Sequence, residues 1–508
     1  MVYFSQILDS ISSKGIIRTL VKVDEVHTAI EKIGEMTGNL EFKEAGRGFK
    51  TKYEDKFLRK DLVCYIEYPY VDLVYRDTYY KFHSTKVGHK EKDCIRISFF
   101  DSKINEDAFD KKALEVHCKG NDYFLGCLII RPTKLNPIGR TILSPKIYSK
   151  KLRSLILRDY TFQINGSKLS VKAFPNSGQD GEYHSCAETS LMSLLSYFAK
   201  YDNFNTKLPS EIIALVNKIR TERVTPTEGL KKEEMSFILK HCGFGVKTYS
   251  SNNLGEATLK KVFNDYVESG IPIIAILKGN DSNHATIAIG HQNVKDLAPA
   301  ISDISDAKGI TILDSSEFYR KKNYIFIDDN YPSYQHSEFE KPASYYDGKF
   351  NSATIKTLIV PLDRRIYLDS LRVRKIFKAI FNHKSHFLRQ CILKESINPY
   401  IVRYCLTTSN AFKKTICNGA VSLETKKAID GLILPRFIWL IELSDTTNYQ
   451  NGRTKGFIII DSMEAPLLSS IIAIVWSNVI QLGDGLRESS KQIKDTTFPI
   501  YENNLMKF

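Results

Sequence analysis

The chain has 508 residues, of which 43% are hydrophobic, 11% aromatic and 26% charged, a globular composition that excludes disordered, fibrous and disulfide-stapled miniature classes. Its net charge of +14 is unevenly divided: +7 over residues 1–160 (29 basic, 22 acidic), −1 over 161–362 (22 and 23) and +8 over 363–508 (21 and 13). Basic flanks suit nucleic acid, an anionic membrane or an acidic protein partner, but a dispersed excess is more often a solvated surface, so charge alone selects none of them.

Nine cysteines at irregular spacing do not make a disulfide framework, and they fit a reducing compartment. The first residues lack a basic start followed by an apolar run, and the most apolar stretch, residues 471–480, is too short to span a bilayer. A soluble, cytoplasmic protein without a transmembrane segment is expected.

In chain order, residues 1–160 read as an α+β domain of unknown role, with helical periodicity from Val26 to Met36 and strand-like runs at 62–68, 94–100 and 123–131. At 161–174 a hairpin is expected around the Asn165-Gly166 turn. Ala187, Leu191, Leu194, Leu195 and Phe198 then recur at helical spacing, which puts Cys186 at a helix N-terminus. Helices over 231–241 and 257–268 precede β-rich runs at 271–277, 285–290, 309–314, 324–328 and 354–362, so a helical part leads into an antiparallel sheet within 161–362. Residues 363–508 read as a C-terminal α+β region, either a third unit or an elaboration packed on that sheet. The fold class expected is therefore α+β.

A nucleophilic cysteine needs a positive environment, and a helix N-terminus with a neighbouring imidazolium provides one. Cys186 has the first of these by position. His284 opens the strand HATIAIG directly after a polar loop, where a histidine can face a cleft while the strand behind it is buried. Asp328 and Asp329, ending YIFIDDN, supply a carboxylate to orient the imidazole. Strand alternation lets only one of the two face His284, and either is admissible on sequence.

These residues carry a resemblance. HATIAIGH resembles the histidine strand of papain-like cysteine peptidases, and YIFIDDN the following strand that ends in an orienting Asn or Asp. SGIPIIAIL and SFILKHCGF are similar to the Gly-x-Pro strand and the preceding helix of the bacteriocin-processing (double-glycine) bacterial branch. The resemblance covers about 200 residues, roughly 165–362. It implies a papain-like module with Cys186 as nucleophile, His284 as general base and Asp328 or Asp329 as orienting group. It also implies that Gln179, seven residues ahead of Cys186 and one more than the usual spacing, donates to the oxyanion hole. His184 is a lower-ranked second donor.

The activity so implied is cleavage of an amide bond in a peptide or protein substrate, with no cofactor. Two alternatives stay open: an acyltransferase or transglutaminase on the same fold, and an anion- or nucleic-acid-binding protein whose papain-like module is inactive. His83, His89, Cys94, His117 and Cys118 match no common zinc spacing, and neither a P-loop, a dinucleotide fingerprint nor a Gly-x-Ser-x-Gly elbow occurs.

Overall fold

Runs rich in Ile, Val, Phe and Tyr supply most of the strands, whose alternating side chains let both faces of a sheet be covered. In the computed structural model they form sheets of seven, eight and seven strands plus a two-stranded ribbon. The structure describes residues 16–87, 91–104, 106–110, 114–120, 122–148, 153–199, 206–292, 311–319, 321–384, 386–395, 399–463, 469–483 and 490–507.

The first sheet is antiparallel throughout and runs β1 (Ile17–Lys22), β2 (Val63–Tyr70), β3 (Cys94–Phe100), β4 (Phe124–Ile130), β5 (Ile138–Leu143), β8 (Ser167–Ser177), β7 (Arg158–Ile164). Helices α1 (Val26–Thr37) and α2 (Leu40–Phe49) are joined by Gly38, whose left-handed φ of 65° closes α1, and by Asn39, whose side chain accepts from the Phe42 N–H. A third helix, α3, spans Leu73–Lys81. The expected hairpin is β7–β8, with Asn165 at φ 46° and Gly166 at φ 78°, and β8 hydrogen-bonds to β5, placing the hairpin in this first sheet.

Four longer helices follow: α4 (Cys186–Phe198), α5 (Pro209–Val216), α6 (Lys232–His241) and α7 (Glu256–Glu268). The second sheet runs β14 (Gln335–Glu338), β13 (Asn323–Ile327), β11 (Asn283–Gln292), β10 (Ile273–Lys278), β15 (Thr354–Asp363), β9 (Phe244–Ser250), all antiparallel. Strand β6 (Arg153–Ile156) pairs with Gly290–Gln292, beyond the start of β10, and β24 (Leu505–Lys507) pairs with β6.

The third sheet runs β12 (Ile312–Asp314), β16 (Tyr400–Thr408), β17 (Phe437–Asp445), β19 (Gly456–Asp461), β20 (Ile471–Trp476), β21 (Val479–Leu482), β22 (Ser490–Gln492). The ribbon is β18 (Arg453–Thr454) with β23 (Phe498–Pro499). Of the run 309–314, the described strand residues belong to this third sheet rather than to the second, because β12 pairs in parallel with β16. A three-residue strand carries too little pattern to fix its partner. The apolar run near 471–480 is two strands turned at Ser477, whose φ is 49°.

Packing joins the layers. Leu191, Leu194 and Leu195 of α4 share one core with Ile287 and Ile289 of β11 and with Ile97 and Leu128 of the first sheet. On the other face of the second sheet, Val262, Phe263 and Tyr266 of α7 pack with Phe326, Leu358, Trp439 and Ile458. Fully burying each such side chain contributes roughly 1.5–3 kcal/mol, which fixes α4 and α7 against opposite faces of the sheet between them. Among the described residues no helix is long and apolar enough to cross a membrane.

Candidate active site

Cys186 is the first residue of α4, and the turn before it is built to start a helix there. Ser185 is extended (φ −103°, ψ −171°), and Glu188 reaches back to accept its backbone N–H at 3.0 Å and its hydroxyl, completing a capping box. Thr227 donates to the other Glu188 oxygen at 3.0 Å. Cys186 itself is half-buried, at the end of α4 where unpaired N–H groups favour negative charge.

The preceding loop is curled around Asp180, whose Oδ1 accepts the backbone N–H groups of Glu182, Tyr183 and His184 at 2.9, 2.7 and 3.0 Å. Gly181 takes the left-handed φ of 71° that this curl requires. Burial alone would push the Asp180 carboxyl up, but His184, His83 and Arg131 hold it far below its usual range. Buried Arg131 also donates to the carbonyls of Asn136, Ile138 and Gln179, so the first sheet's connection between β4 and β5 clamps the loop from below. His184 is fully buried with Nδ1 3.2 Å from Asp180, which puts its ring in the loop's foundation and away from a cleft.

His284 lies at the start of β11, and its Nε2 is 3.1 Å from Asp328 Oδ1 and 3.5 Å from Asp329 Oδ1. Both carboxylates therefore approach the ring, where alternation allowed one. The reason is that β13 ends at Ile327, so Asp328 and Asp329 lie in a turn that strand geometry does not govern. The two differ in support. Asp328 accepts from Tyr345 at 2.8 Å, from Tyr346 at 2.9 and 3.0 Å, and from the Asn330 N–H at 2.9 Å, whereas neither Asp329 carboxylate oxygen accepts a hydrogen bond. Their backbone carbonyls are held by Asn176 and Asn136 of the first sheet, each at 3.2 Å.

The electrostatics follow from these contacts. Burial alone would lower the His284 pKa, but Asp328, then the Cys186 side chain, then Asp329 raise it well above its ordinary value. Burial would raise Asp328, yet His284, the Asn330 N–H and Tyr345 hold it low. Burial and the charge of Asp328 push Asp329 up to about 7 against the pull of His284. Tyr346 and Phe350 stand edge-on to the His284 ring at 6.0 and 5.9 Å.

Gln179 donates from Nε2 to Asn330 Oδ1 at 2.9 Å, and Asn330 donates to the Tyr346 hydroxyl at 3.3 Å. The structure thus brings Gln179, His284, Asp328 and Asp329, through Asn330 and Tyr346, into one hydrogen-bonded and ionic cluster. Tyr345, Tyr346, Asn330, Asn136, Asn176 and Arg131 escape a reading of the sequence. The Tyr345-Tyr346 pair before the Asp347-Gly348 turn is the one local signal, and nothing in it points to Asp328.

Among the described residues, His284, Asp328 and Asp329 form a group able to ligate a metal. Of the discounted zinc candidates, His83 and Cys94 are buried, His117 and Cys118 share a short helix over 114–118, and His89 lies outside the described residues. A cavity of about 1180 Å³ opens at the far end of α4, lined by Tyr197, Phe198, Arg364, Thr408 and Asn504; Cys186 and His284 do not line it. No family model and no curated protein matches the chain.

Proposed function

We propose that the protein is a papain-like cysteine peptidase that cleaves an amide bond in a peptide or protein substrate. The observation that carries this reading is a buried imidazole, His284, 3.1 Å from the Asp328 carboxylate, on a strand that the helix beginning at Cys186 is hydrogen-bonded to through Ser190. His284 takes the Cys186 proton through Nδ1, the nitrogen that Asp328 leaves open, and the thiolate attacks the substrate carbonyl. The imidazolium then protonates the leaving amine as the C–N bond breaks, and water releases the acyl group from sulfur. A Gln179 amide has two N–H donors, and Asn330 takes one of them. The second, with the Cys186 backbone N–H, serves the oxyanion.

A cytoplasmic setting and a partner met through the basic flanks complete the reading. The test compares wild type with Cys186→Ala in a cell extract. A protein retained by the variant and shortened by the wild type identifies a peptidase with its substrate. Acyl transfer to an added amine without shortening identifies a transferase instead. Equal retention of nucleic acid by both proteins, with no protein changed by either, overturns the catalytic reading.

A further inference from the structure

We propose that His284 Nε2, Asp328 and Asp329 form a binding site for a zinc-like divalent cation, and that the bound cation holds the thiol centre inactive. The three ligand atoms lie within 4.8 Å of one another, with 3.1 and 3.5 Å separating Nε2 from the two carboxylates. A tetrahedral zinc with bonds of about 2.0–2.2 Å spaces its ligands by roughly 3.4 Å, so small side-chain adjustments bring all three onto one ion.

A second observation points to a ligand. The Asp329 side chain is only 4% exposed and lies against the His284 ring, yet both its oxygens are without a hydrogen bond. Buried carboxylates are ordinarily hydrogen-bonded, paired or bound to metal, and beyond the 3.5 Å approach of His284 this one has acceptor capacity to spare. Asp328 already carries the outer support that metal-ligating carboxylates show, in Tyr345, Tyr346 and the Asn330 N–H.

One imidazole nitrogen with carboxylate oxygens suits zinc, while calcium takes oxygen ligands. A water completes four-coordination, as in open zinc sites.

On binding, Nε2 gives its proton to solvent and its lone pair to the cation; no redox step is involved. The imidazole then keeps its remaining proton on Nδ1, so it donates toward Cys186 and can no longer accept the thiol proton. Inhibition rests on the proposed peptidase chemistry; binding does not. This mode also differs from thiol–imidazole ligation, which would use the Cys186 sulfur.

The test titrates the full chain with Zn²⁺ against a chromophoric chelator. One ion per chain is expected, with Cys186→Ala keeping the wild-type affinity within about twofold. Asp329→Asn should weaken binding at least about tenfold, since even outer-shell losses cost that much. A zinc-dependent rise in the melting temperature of wild type gives a second readout should that variant fail to fold. Zinc should also slow iodoacetamide labelling of Cys186, reversibly on adding chelator. Affinity lost in Cys186→Ala and kept in Asp329→Asn, or no stoichiometric binding and no melting shift, overturns the proposal. Stoichiometric binding that depends on Asp329, with no substrate cleaved by the metal-free protein, keeps the cation site and removes the peptidase reading.

Discussion

Ser190 donates from Oγ to the Ala285 carbonyl at 3.2 Å, fastening the helix that begins at Cys186 to the strand residue beside His284. Ser190 stands one helical turn beyond Cys186, so this bond ties the helix start to the strand of His284 more directly than the surrounding apolar contacts do. Ser190→Ala is expected to cost about 1 kcal/mol of stability, as a typical hydrogen bond does, while lowering kcat by a larger factor because the reacting pair loosens. Denaturant unfolding beside steady-state kinetics separates the two. Equal losses in both would show that the bond is merely structural.

Tyr345 and Tyr346 donate to the same buried carboxylate, Asp328. Hydrogen bonds to a charged group contribute about 1.5–3 kcal/mol, so Tyr345→Phe should reduce turnover roughly tenfold or more. The Asp328 pKa is depressed in the folded protein, so what its carboxylate supports is present above the unfolded value and lost as pH falls through the folded one. Removing a donor raises that folded value. The acid limb of the pH–rate profile should therefore move to higher pH in each Tyr→Phe variant and furthest in the double variant.

Asp329 has the opposite sign. Burial pushes its carboxyl from 3.8 up to about 7, so the folded state holds that proton more tightly than the unfolded chain and loses stability as pH rises between the two values. Asp329→Asn removes an ionisable group from a dry site. Relative to wild type, the variant should gain stability as pH is raised from 4 to 8, by a few kcal/mol at most, on the order of 1.4 kcal/mol per tenfold. Thermal melts across that range check it, and a pH-independent difference would refute it.

The third sheet is tied to α7 by buried charge. Arg403 bonds Glu268 at 3.1 Å and Glu442 at 2.7 Å, Lys322 also meets Glu268, and His291 lies 3.5 Å from it. Burial would raise Glu268, but Lys322, His291 and Arg403 hold it low, so its stabilisation is lost only as pH falls through that depressed value. Arg403→Ala leaves two buried carboxylates undercompensated and should cost about 3–5 kcal/mol, with acid unfolding displaced to higher pH. Urea titrations at neutral and acid pH measure both.

Long periodic segments were legible in the sequence: α1, α4, α6 and α7, and strands such as β3, β11 and β19, whose apolar spacing states their type. Partners were not. The hairpin 161–174 is plain in its Asn165-Gly166 turn, but its pairing to β5 is not written in the turn, and β12 looks like any short apolar run until it lies beside β16. At the site, residue type and local position single out Cys186 and His284, since a helix start and a strand mouth are local features. The distinction between Asp328 and Asp329 is not local: it is drawn by Tyr345, Tyr346 and Asn330, which meet one carboxylate and miss the other. Likewise the Asp180 curl between Gln179 and Cys186 depends on Arg131, just past β4, and on His83, just past α3.

The pairing of β24 with β6, and of β6 with the end of the His284 strand, gives the protein a timetable. A chain leaving the ribosome N-terminus first has made Cys186, His284 and both aspartates long before Leu505–Lys507 exist, so the sheet bearing the imidazole waits for its last partner until synthesis has run on past residue 500. During that interval the nascent thiol has neighbours in sequence but an unfinished scaffold. Cys186 and His284 thus reach their final scaffold only once residues far downstream of both have been added.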